Sequence, residues 1–374
     1  MKMKAAILYE MGLDGPYAET HPIKIEEVDL DPPGEDEVLV KVAAAGLCHS
    51  DLSVINGARP RPLPMVLGHE ASGVVAEVGA GVTDLAADDH VVFVFVPSCG
   101  HCVPCMEGRP ALCEPGARAN GEGTLLTGAR RLGRNGQPVN HQVGVSCFAE
   151  YATVSRRSLV KIDPTLALDE AALFGCAVIT GVGAVVNTAH MAPGASVAVV
   201  GLGGVGLNAV LGARMAGARQ VIAIDLLDDK LALARQLGAD HAFDADDPEI
   251  IAKVREATSG GVDYGFEMVG SVAAMELAYQ ITRRGGETVT AGLSHPDHKF
   301  QIQHVNLVGE ERTIRGSYLG SCVPARDIPR YIDLYRQGRL PVDRLMSERM
   351  ALEQINEGFD RLATGHTVRQ LVLF

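Results

Sequence analysis

The pattern of apolar and polar positions differs between the two halves of the chain. From residue 4 to about residue 162, short apolar runs are separated by glycine and proline, and helical periodicity is scarce. Such runs between turn residues are typical of strands. They predict a compact, mostly antiparallel β domain with strands at residues 5–8, 38–45, 73–78, 91–96 and 151–154. Residues 117–141, rich in glycine, arginine and asparagine, are predicted to form a long irregular loop.

The second half alternates regularly between strand-like and helix-like segments. Such alternation predicts a parallel, doubly wound sheet with helices on both faces. The predicted strands cover residues 197–200, 221–224, 262–268, 288–291 and 313–318, and the helices residues 207–216, 228–237, 248–257 and 272–282. Two helical segments follow Pro324, and a last strand at residues 368–374 is predicted to return to the β domain.

This alternating half begins with a glycine-rich turn. Gly201-x-Gly203-x-x-Gly206 directly follows the apolar strand at residues 197–200. In this context the glycines serve a tight turn, a close approach of backbone to a pyrophosphate, and close packing of helix on strand. The N–H groups at the start of the helix, near Gly204, favour phosphate. The turn predicts dinucleotide binding, with a purely structural βαβ turn as the alternative.

Asp225 ends the next strand, 19 residues beyond Gly206. A carboxylate at this place accepts hydrogen bonds from the adenosine ribose hydroxyls and repels a 2′-phosphate. We therefore expect NAD rather than NADP as the cofactor. The alternative is a solvated acid at the end of a strand.

Composition and charge mainly exclude classes of protein. With 374 residues, the chain is expected to form two domains. Its 47% hydrophobic and 21% charged residues are those of a soluble globular protein. It has no apolar run of about 18 residues and no signal-peptide pattern, which predicts a cytoplasmic protein without a membrane segment. The formal net charge of −13 argues against nucleic-acid and anionic-membrane partners.

Four of the eight cysteines lie close together in the pattern C-x2-C-x2-C-x7-C. They are Cys99, Cys102, Cys105 and Cys113. In a cytosolic chain, cysteines are metal ligands more often than disulfide partners. Four thiolates complete a tetrahedral zinc shell and leave no open position for chemistry, so we expect a structural zinc. An iron–sulfur cluster is the alternative, since thiolates at two-residue gaps also bind clusters.

Three other candidate ligands lie in loops. Cys48 follows the strand at residues 38–45, His69 precedes the strand at residues 73–78, and Cys176 interrupts a helical segment that begins at Asp169. Strand-end loops on a rigid scaffold often carry catalytic groups. Taken singly, however, Cys48 is more often a small buried hydrophobe and His69 a satisfied core histidine.

The motifs now described resemble those of zinc-dependent medium-chain alcohol dehydrogenases, in order and over essentially the whole chain. They are Cys48-His49-Ser50-Asp51, Gly68-His69-Glu70, the four-cysteine lobe, Gly175-Cys176, and Gly-Leu-Gly-Gly-Val-Gly with Asp225. The resemblance implies an α/β protein with a GroES-like, mostly β catalytic domain at residues 1–177, to which residues 320–374 return. It also implies a Rossmann domain, with a doubly wound parallel sheet, at residues 178–319.

The resemblance also implies a second, catalytic zinc. Cys48, His69 and Cys176 correspond to its ligands, and Glu70 lies beside the metal. Two cysteines and one histidine are the ligand set known for alcohol dehydrogenase, and the set is carried over here from that family. Ser50 corresponds to the hydroxyl that hands the substrate proton away. Asp51 corresponds to the acid that orients His69.

Further residues carry over by the same resemblance. They are His49 and Arg369 as pyrophosphate contacts, Lys230 as an adenosine-ribose contact, Thr180 and Val205 as supports of the nicotinamide ring, and Phe95 and Phe148 as walls of the substrate pocket. For each of them, a packed or solvated residue is the alternative.

Two departures from the family pattern bear on function. The loop at residues 56–62 contains no carboxylate, whereas an acid there helps to handle the thiol adduct in glutathione-dependent formaldehyde dehydrogenases. Ser53 stands where some members carry a relay histidine.

The resemblance therefore implies an NAD-dependent alcohol dehydrogenase with two zinc ions per subunit. Its substrate would be a primary or aromatic alcohol, or the corresponding aldehyde in the reverse direction. The alternatives are a formaldehyde dehydrogenase that acts on S-hydroxymethylglutathione and a non-catalytic zinc- and nucleotide-binding protein. Members with a long loop like residues 117–141 tend to be dimers, so we expect a homodimer.

Overall fold

The computed structural model describes residues 1–374 and divides them into two compact units. Unit 1 consists of Met1–Cys176, Val323–Asp333 and Val342–Phe374. Unit 2 consists of Ala177–Cys322 and Leu334–Pro341.

The elements up to residue 176 are, in chain order, β1 (Lys2–Leu8), α1 (Tyr17–Thr20), β2 (Ile23–Leu30), β3 (Glu37–Gly46), α2 (His49–Ile55), β4 (Met65–Val66), β5 (Ala71–Val78), β6 (His90–Phe93), α3 (Val103–Met106), α4 (Glu114–Glu122), β7 (Leu132–Arg134), β8 (Gln137–His141), β9 (Tyr151–Ser155), β10 (Leu159–Lys161) and α5 (Leu168–Ala172).

The later elements are α6 (Ala177–Gly183), β11 (Ser196–Val200), α7 (Gly204–Met215), β12 (Gln220–Asp225), α8 (Asp228–Gln236), β13 (His241–Asp244), α9 (Ile250–Thr258), β14 (Val262–Glu267), α10 (Val272–Ile281), β15 (Thr282–Thr290), α11 (His304–Gly309), β16 (Thr313–Gly316), α12 (Pro324–Arg336), β17 (Met346–Met350), α13 (Ile355–Ala363) and β18 (Arg369–Leu373).

Unit 1 contains two β layers. Strands β1-β2-β7-β8-β4 close a small barrel, and a seven-stranded sheet has the order β10-β6-β5-β3-β18-β17, with β9 also paired to β3. Its strand pairs are antiparallel except β4 with β8 and β17 with β18. The C-terminal strand β18 joins this sheet beside the end of β3, where Leu371 lies opposite Gly46.

The core of unit 1 positions helix α2, which follows directly on Cys48. Leu52 and Ile55 of α2 are buried in one cluster with Val40 of β3 and Phe359 of α13. Leu52 and Ile55 follow the polar first turn of the helix, and their packing holds α2 in place.

The prediction of an irregular loop at residues 117–141 is wrong. Helix α4 covers its first part, and β7 and β8 form a hairpin in its second part, with Arg134 opposite Gln137. Asn135 and Gly136 make the two-residue turn with φ of 51° and 74°. An Asn-Gly pair is a strong hairpin signal because both turn residues need positive φ. The sequence therefore did contain the signal for this hairpin.

Unit 2 contains the predicted parallel sheet, with one strand, β13, that the sequence pattern did not predict. Its six strands have the order β13-β12-β11-β14-β15-β16, and every neighbouring pair is parallel. The chain winds outward from β11 in one direction and then from β14 in the other. The carboxyl ends of β11 and β14 thus form the switch point at which such sheets bind ligands.

No single helix of the chain is both long and apolar enough to cross a bilayer. Only the bent pair Leu168–Gly175 and Ala177–Thr188, taken together, meets that test of length and composition.

His141 is a buried histidine at the end of β8. Its Nε2 accepts a hydrogen bond of 3.0 Å from the backbone N–H of Arg131. Burial, together with the charges of Arg130 and Arg131, lowers the pKa of His141 to about 3. An unfolded chain holds a histidine with a pKa of about 6.5. Between these values the unfolded state binds a proton that the native state refuses, so acid destabilises the fold.

Replacing His141 by glutamine should weaken this acid sensitivity. Glutamine can still accept the Arg131 N–H but does not titrate. Between pH 7 and pH 4 the parent should lose about 3 kcal/mol more unfolding free energy than His141→Gln, in urea titrations followed by circular dichroism. His21→Asn, at an exposed histidine, should behave as the parent does. Parallel loss of stability in the parent and in His141→Gln would contradict this assignment.

Candidate metal centre and cofactor-binding loop

Cys48, His69 and Cys176 come together in unit 1. Cys48 lies between β3 and α2, His69 between β4 and β5, and Cys176 just after the turn that follows α5. Their sulfur and imidazole nitrogen atoms all lie within 4.8 Å of one another. His69 and Cys176 are buried and Cys48 is half-buried. The three candidate ligands from distant loops therefore form one cluster.

The imidazole of His69 shows that this cluster fits a metal ion. Its Nδ1 lies 2.8 Å from Oδ1 of Asp51, which fixes the ring. Its Nε2 is buried and has no hydrogen-bond partner. A bare nitrogen in the interior is costly unless something binds its lone pair. Two thiolates and one imidazole are a zinc-type donor set that leaves a fourth position open.

The electrostatics of the cluster favour a thiolate at Cys48. A hydrogen bond from Cys176 and the nearby His69 lower the pKa of the Cys48 thiol well below its usual range, against the effect of burial. The backbone N–H of Cys48 also lies 3.2 Å from Oδ2 of Asp51. Because metals bind the deprotonated thiol, a lowered thiol pKa prepares Cys48 as a ligand.

Glu70 and Arg369 form a buried ion pair next to this cluster. Oε1 of Glu70 accepts a hydrogen bond from the Arg369 guanidinium, and both side chains are at most 5% exposed. Burial raises the pKa of Glu70 to about 7, although Arg369 opposes that shift. The Oε2 atom of Glu70 has no hydrogen-bond partner. The structure thus places Arg369 against Glu70, whereas the sequence assigned Arg369 to the cofactor pyrophosphate.

Ser50 and Ser53 lie on helix α2 and differ in their contacts. The hydroxyl of Ser53 donates a hydrogen bond of 2.8 Å to the backbone carbonyl of His49, one turn earlier. Ser50 is half-buried in the first turn, two residues after Cys48, and His49 is exposed. The hydroxyl of Ser53 is therefore engaged with the helix backbone, while Ser50 lies next to the candidate ligands in the chain.

The two predicted pocket phenylalanines differ in burial. Phe95 is half-buried, and its ring meets His69 edge-on with 5.2 Å between centroids. Phe148 is fully buried and packs edge-on against Phe359 at 6.1 Å. Phe95 therefore lies beside a candidate ligand, whereas Phe148 belongs to the core of unit 1.

The four cysteines of the lobe also converge. The sulfur atoms of Cys99, Cys102, Cys105 and Cys113 lie within 4.8 Å of one another. Backbone N–H groups approach two of these sulfurs, from Cys102 to Cys99 at 3.3 Å and from Cys99 to Cys113 at 3.2 Å. Such donors favour thiolates, so the cluster could hold a metal ion in a closed shell.

The glycine-rich turn of unit 2 has the three features that its sequence predicts. Gly201 has φ of 91°, a conformation that other residues rarely adopt. A Cβ on Gly203 would meet no atom within 4 Å, so the space beside it is open. A Cβ on Gly206 would lie 1.8 Å from the carbonyl oxygen of Gly201. Gly201 thus makes the tight turn, Gly203 leaves the approach open, and Gly206 allows the helix to pack closely on the strand.

Asp225 has a structural contact that sequence reasoning missed. Its Oδ2 accepts a 2.6 Å hydrogen bond from the backbone N–H of Leu202, inside the glycine-rich turn. Its Oδ1 lies 3.1 Å from the backbone N–H of Leu227. The half-buried carboxylate therefore also ties the end of β12 to the turn. Lys230 is buried in the first turn of α8, five residues later.

Thr180 and Val205 lie on two helices that pack closely. Thr180 belongs to α6 and Val205 to the first turn of α7. A Cβ on Gly181 would lie 2.2 Å from the carbonyl oxygen of Val205, so the helices touch at this point.

Comparison with known proteins agrees with both units. A family model described as "Alcohol dehydrogenase GroES-like domain" matches residues 34–164, and one described as "Zinc-binding dehydrogenase" matches residues 204–337. The chain is 41% identical over 377 aligned residues to "Putative alcohol dehydrogenase D" of Mycobacterium tuberculosis, with all of both chains covered. The chain belongs to the zinc-dependent medium-chain alcohol dehydrogenase family. Both the resemblance and the fold class predicted from sequence are thereby confirmed.

Solved structures of this alcohol dehydrogenase family superpose over the full length. An alcohol dehydrogenase zinc-binding domain protein from Burkholderia ambifaria is 36% identical with a TM-score of 0.94, covering 100% of this chain and 99% of that one. Benzyl alcohol dehydrogenase from Acinetobacter calcoaceticus is 32% identical with a TM-score of 0.93 and the same coverage. A putative zinc-binding dehydrogenase from Sinorhizobium meliloti, bound to NADP, is 28% identical with a TM-score of 0.81 and full coverage of both chains.

Glu267 is a further residue that sequence reasoning missed in this dehydrogenase. It ends β14 at the switch point of the sheet and is 1% exposed. Its carboxylate accepts hydrogen bonds from the N–H of Val269 at 2.7 Å, the N–H of Gly270 at 2.5 Å and the hydroxyl of Thr290 at 2.6 Å. Glu267 therefore fixes the loop beside the glycine-rich turn. The available signal was an acid inside the strand predicted at residues 262–268.

The glycine geometry predicts opposite outcomes for two alanine substitutions. Gly206→Ala should lower the melting temperature by several degrees, because its methyl group would clash with the Gly201 carbonyl. Gly203→Ala should leave melting unchanged and weaken dinucleotide binding about tenfold or more, because the methyl group occupies the open approach. Calorimetric melting and titration with NAD and NADH measure the two effects. Unchanged dinucleotide affinity in Gly203→Ala would contradict the assignment of this glycine.

Proposed function

We propose that the protein is an NAD-dependent alcohol dehydrogenase that interconverts a primary or aromatic alcohol and the corresponding aldehyde. The observation that carries this proposal is the convergence of Cys48, His69 and Cys176 around a buried, unpartnered Nε2 of His69. Similarity over the full length to a benzyl alcohol dehydrogenase supports the aromatic class of substrate.

In the proposed enzyme, Cys48, His69 and Cys176 would hold a catalytic zinc with Glu70 beside it, and the four-cysteine lobe a structural one. When bound, the catalytic zinc supplies Lewis acidity that lowers the pKa of an alcohol hydroxyl towards neutral pH. The three side chains leave one coordination position for the substrate oxygen. The Nδ1–Asp51 hydrogen bond of His69 keeps the ring in the tautomer that presents Nε2.

Ser50 is the proposed acceptor of the substrate proton. A hydroxyl can accept a proton on one lone pair and donate its own onward, so it passes charge without holding it. Ser53 does not extend this path as an imidazole would, because its hydroxyl donates to the helix backbone. The proton would then leave through the cofactor ribose and water.

Unit 2 is the proposed cofactor site. The N-terminal amides of α7 and the open approach at Gly203 suit a pyrophosphate. Asp225 is proposed to select NAD, which, when bound, accepts the hydride. Lys230, Thr180, Val205 and His49 keep their family-derived roles as proposals. For Arg369, Nη2 bonds to Glu70, so another N–H group of the guanidinium would make the pyrophosphate contact.

We further propose a homodimer built on the free edge of the unit 2 sheet. Strand β16 pairs with β15 on one side only. Helix α11, just before β16, exposes Val305 by 72% and Val308 by 66%. Two copies pairing edge to edge would bury both features. The cysteines of both clusters are not joined in disulfides, which fits a reducing compartment such as the cytoplasm.

Metal content tests the central proposal. The purified protein should hold two zinc ions per chain and oxidise aromatic or primary alcohols with NAD, with no need for glutathione. Cys48→Ala should lose one zinc and nearly all activity while remaining folded. Cys147→Ala, at a buried cysteine outside both clusters, should keep both ions. An active protein with one zinc per chain, measured by plasma mass spectrometry, would overturn the assignment.

Substitution of the two serines tests the proton path. Ser50→Ala should lower kcat by about 10² or more, the range of lost proton-transfer catalysis. Ser53→Ala should stay close to the parent, since its hydroxyl serves the helix. Steady-state kinetics with one alcohol at saturating NAD measure both. Equal damage from the two substitutions would make Ser53 a member of the relay.

Because the Asp225 carboxylate also bonds to backbone N–H groups, cofactor choice is best tested by a substitution that removes its charge and keeps its shape. Asp225→Asn removes the charge but keeps an oxygen for the Leu202 N–H. The ratio of kcat/KM for NADP to that for NAD should rise about tenfold or more, because the 2′-phosphate is no longer repelled. Asp244→Asn is a matched control, since Asp244 lies opposite Asp225 on β13. A ratio that does not change would place cofactor selectivity elsewhere.

A further inference from the structure

The segment that follows β8 has an unusual backbone. Val143, Gly144 and Ser146 have φ of 43°, 70° and 53°. The left-handed region is rarely occupied by β-branched residues such as valine. A strained backbone persists only where its surroundings hold it, and it is often found next to functional groups. The turn at residues 142–146 therefore requires a reason beyond chain reversal.

This turn is fastened to the chain just before His69. The hydroxyl of Ser146 accepts a 2.9 Å hydrogen bond from the N–H of Gln142 and donates one of 2.7 Å to the carbonyl of Val66. The N–H groups of Cys147 and Phe148 bond to the carbonyls of Gly68 and Leu67 at 3.1 and 3.0 Å. The turn and the segment that carries His69 are thus held as one piece.

The side chain of Gln142 lies between two groups of the candidate metal centre. It is 3% exposed, and its Oε1 accepts a hydrogen bond from the backbone N–H of Gly68, the residue before His69. The Gln142 side chain also faces the Asp51 carboxylate, and its amide acts on that acid as a hydrogen-bond donor does, lowering its pKa against the rise that burial causes. Since a carboxylate only accepts, the amide NH₂ group must be the donor. One amide therefore connects the backbone beside a ligand with the acid that orients the same ligand.

Asp51 depends on such donors because it is fully buried. It accepts from the N–H of Cys48 and from Nδ1 of His69. Gln142 supplies the third donor, and it is the one that comes from outside the ligand residues. A buried carboxylate with fewer donors would be free to turn, and the imidazole would turn with it.

We propose that Gln142 is a positioning residue of the metal centre, whose amide locks Asp51 and Gly68 together and so directs Nε2 of His69 towards Cys48 and Cys176. This inference rests on the proposed metal-dependent function. It assigns to the strained turn the task of presenting one amide in one orientation.

The test is metal binding by the full chain rather than activity. Gln142→Met has a similar volume and lacks both hydrogen bonds. It should release one zinc per chain to a competing chelator about 10- to 100-fold more readily than the parent, the usual cost of losing such a supporting contact. With Co²⁺ in the centre, its visible d–d bands should shift, because the imidazole has changed its direction. Parental zinc affinity together with parental bands would overturn the proposal.

A second variant separates the two hydrogen bonds. Gln142→Glu keeps an oxygen for the Gly68 N–H but places a second carboxyl group against Asp51. The two acids must repel each other or share one proton, and both states weaken the ionised Asp51 that orients His69. The variant should also release zinc more readily. Parental zinc affinity in Gln142→Glu would show that the bond to Asp51 is dispensable, which contradicts the proposal. This variant also decides the question if Gln142→Met does not fold.

Asn356→Leu is the matched control for loss of a buried amide. Asn356 is 5% exposed, and its side chain bonds to the N–H and carbonyl of Ile23, away from the metal centre. The variant should be destabilised as Gln142→Met is, yet keep the zinc affinity and Co²⁺ bands of the parent. A parent that binds no metal at Cys48, His69 and Cys176 would refute the proposed function itself, whereas a parent and Gln142→Met with equal affinity would refute only this inference.

Discussion

The hydrogen bond between Asp51 and His69 is the interaction on which the candidate centre depends. It is 2.8 Å long, and both side chains are at most 2% exposed. Nδ1 is engaged by the carboxylate, so Nε2 is the ring nitrogen left for a metal ion, and it is buried without a hydrogen-bond partner. Because Asp51 stands three residues after Cys48, one short segment supplies a ligand and also orients a second one. The start of helix α2 therefore couples the two ligands mechanically.

In unit 2 the corresponding constraint is the lack of a side chain at the glycines of the glycine-rich turn. Gly206 approaches the carbonyl of Gly201 so closely that no Cβ fits between them, which brings the start of α7 against the end of β11. Asp225 and Glu267 then bond to backbone N–H groups on either side of this junction. Asp225 ends β12 and Glu267 ends β14, and these are the two strands that flank β11 in the sheet. The turn is thus held from two strands, while the space at Gly203 stays open.

Local patterns were sufficient to predict most of unit 2, apart from strand β13 and helix α11, and were less informative for unit 1. The parallel strands are short apolar runs between helices, so their order along the chain is visible in the sequence. Strand β2 was missed because half of its residues are charged, with Ile23, Val28 and Leu30 as the buried positions. The β7–β8 hairpin was missed because glycine and arginine suggested irregular structure, although Asn135-Gly136 specifies a hairpin turn. Strand propensity alone is a weak guide where buried and exposed residues alternate along a strand.

Contacts between residues far apart in sequence explain what sequence reasoning did not predict at the site. Glu70 and Arg369 are separated by 299 residues and meet because β18 pairs with β3. Gly46, at the end of β3, provides the space for this ion pair. A Cβ there would lie 2.7 Å from Nη2 of Arg369 and 2.8 Å from Oε1 of Glu70.

This pair also sets the charge beside the candidate ligands. Burial raises the pKa of Glu70 to about 7, and the guanidinium of Arg369 acts in the opposite direction. If Arg369 moved to an anionic cofactor, Glu70 would lose a cation that favours its ionised form. The protonation of Glu70 is therefore physically coupled to the position of Arg369. Two residues that the sequence treats separately, one as a neighbour of the metal and one as a cofactor contact, act as a single charged unit.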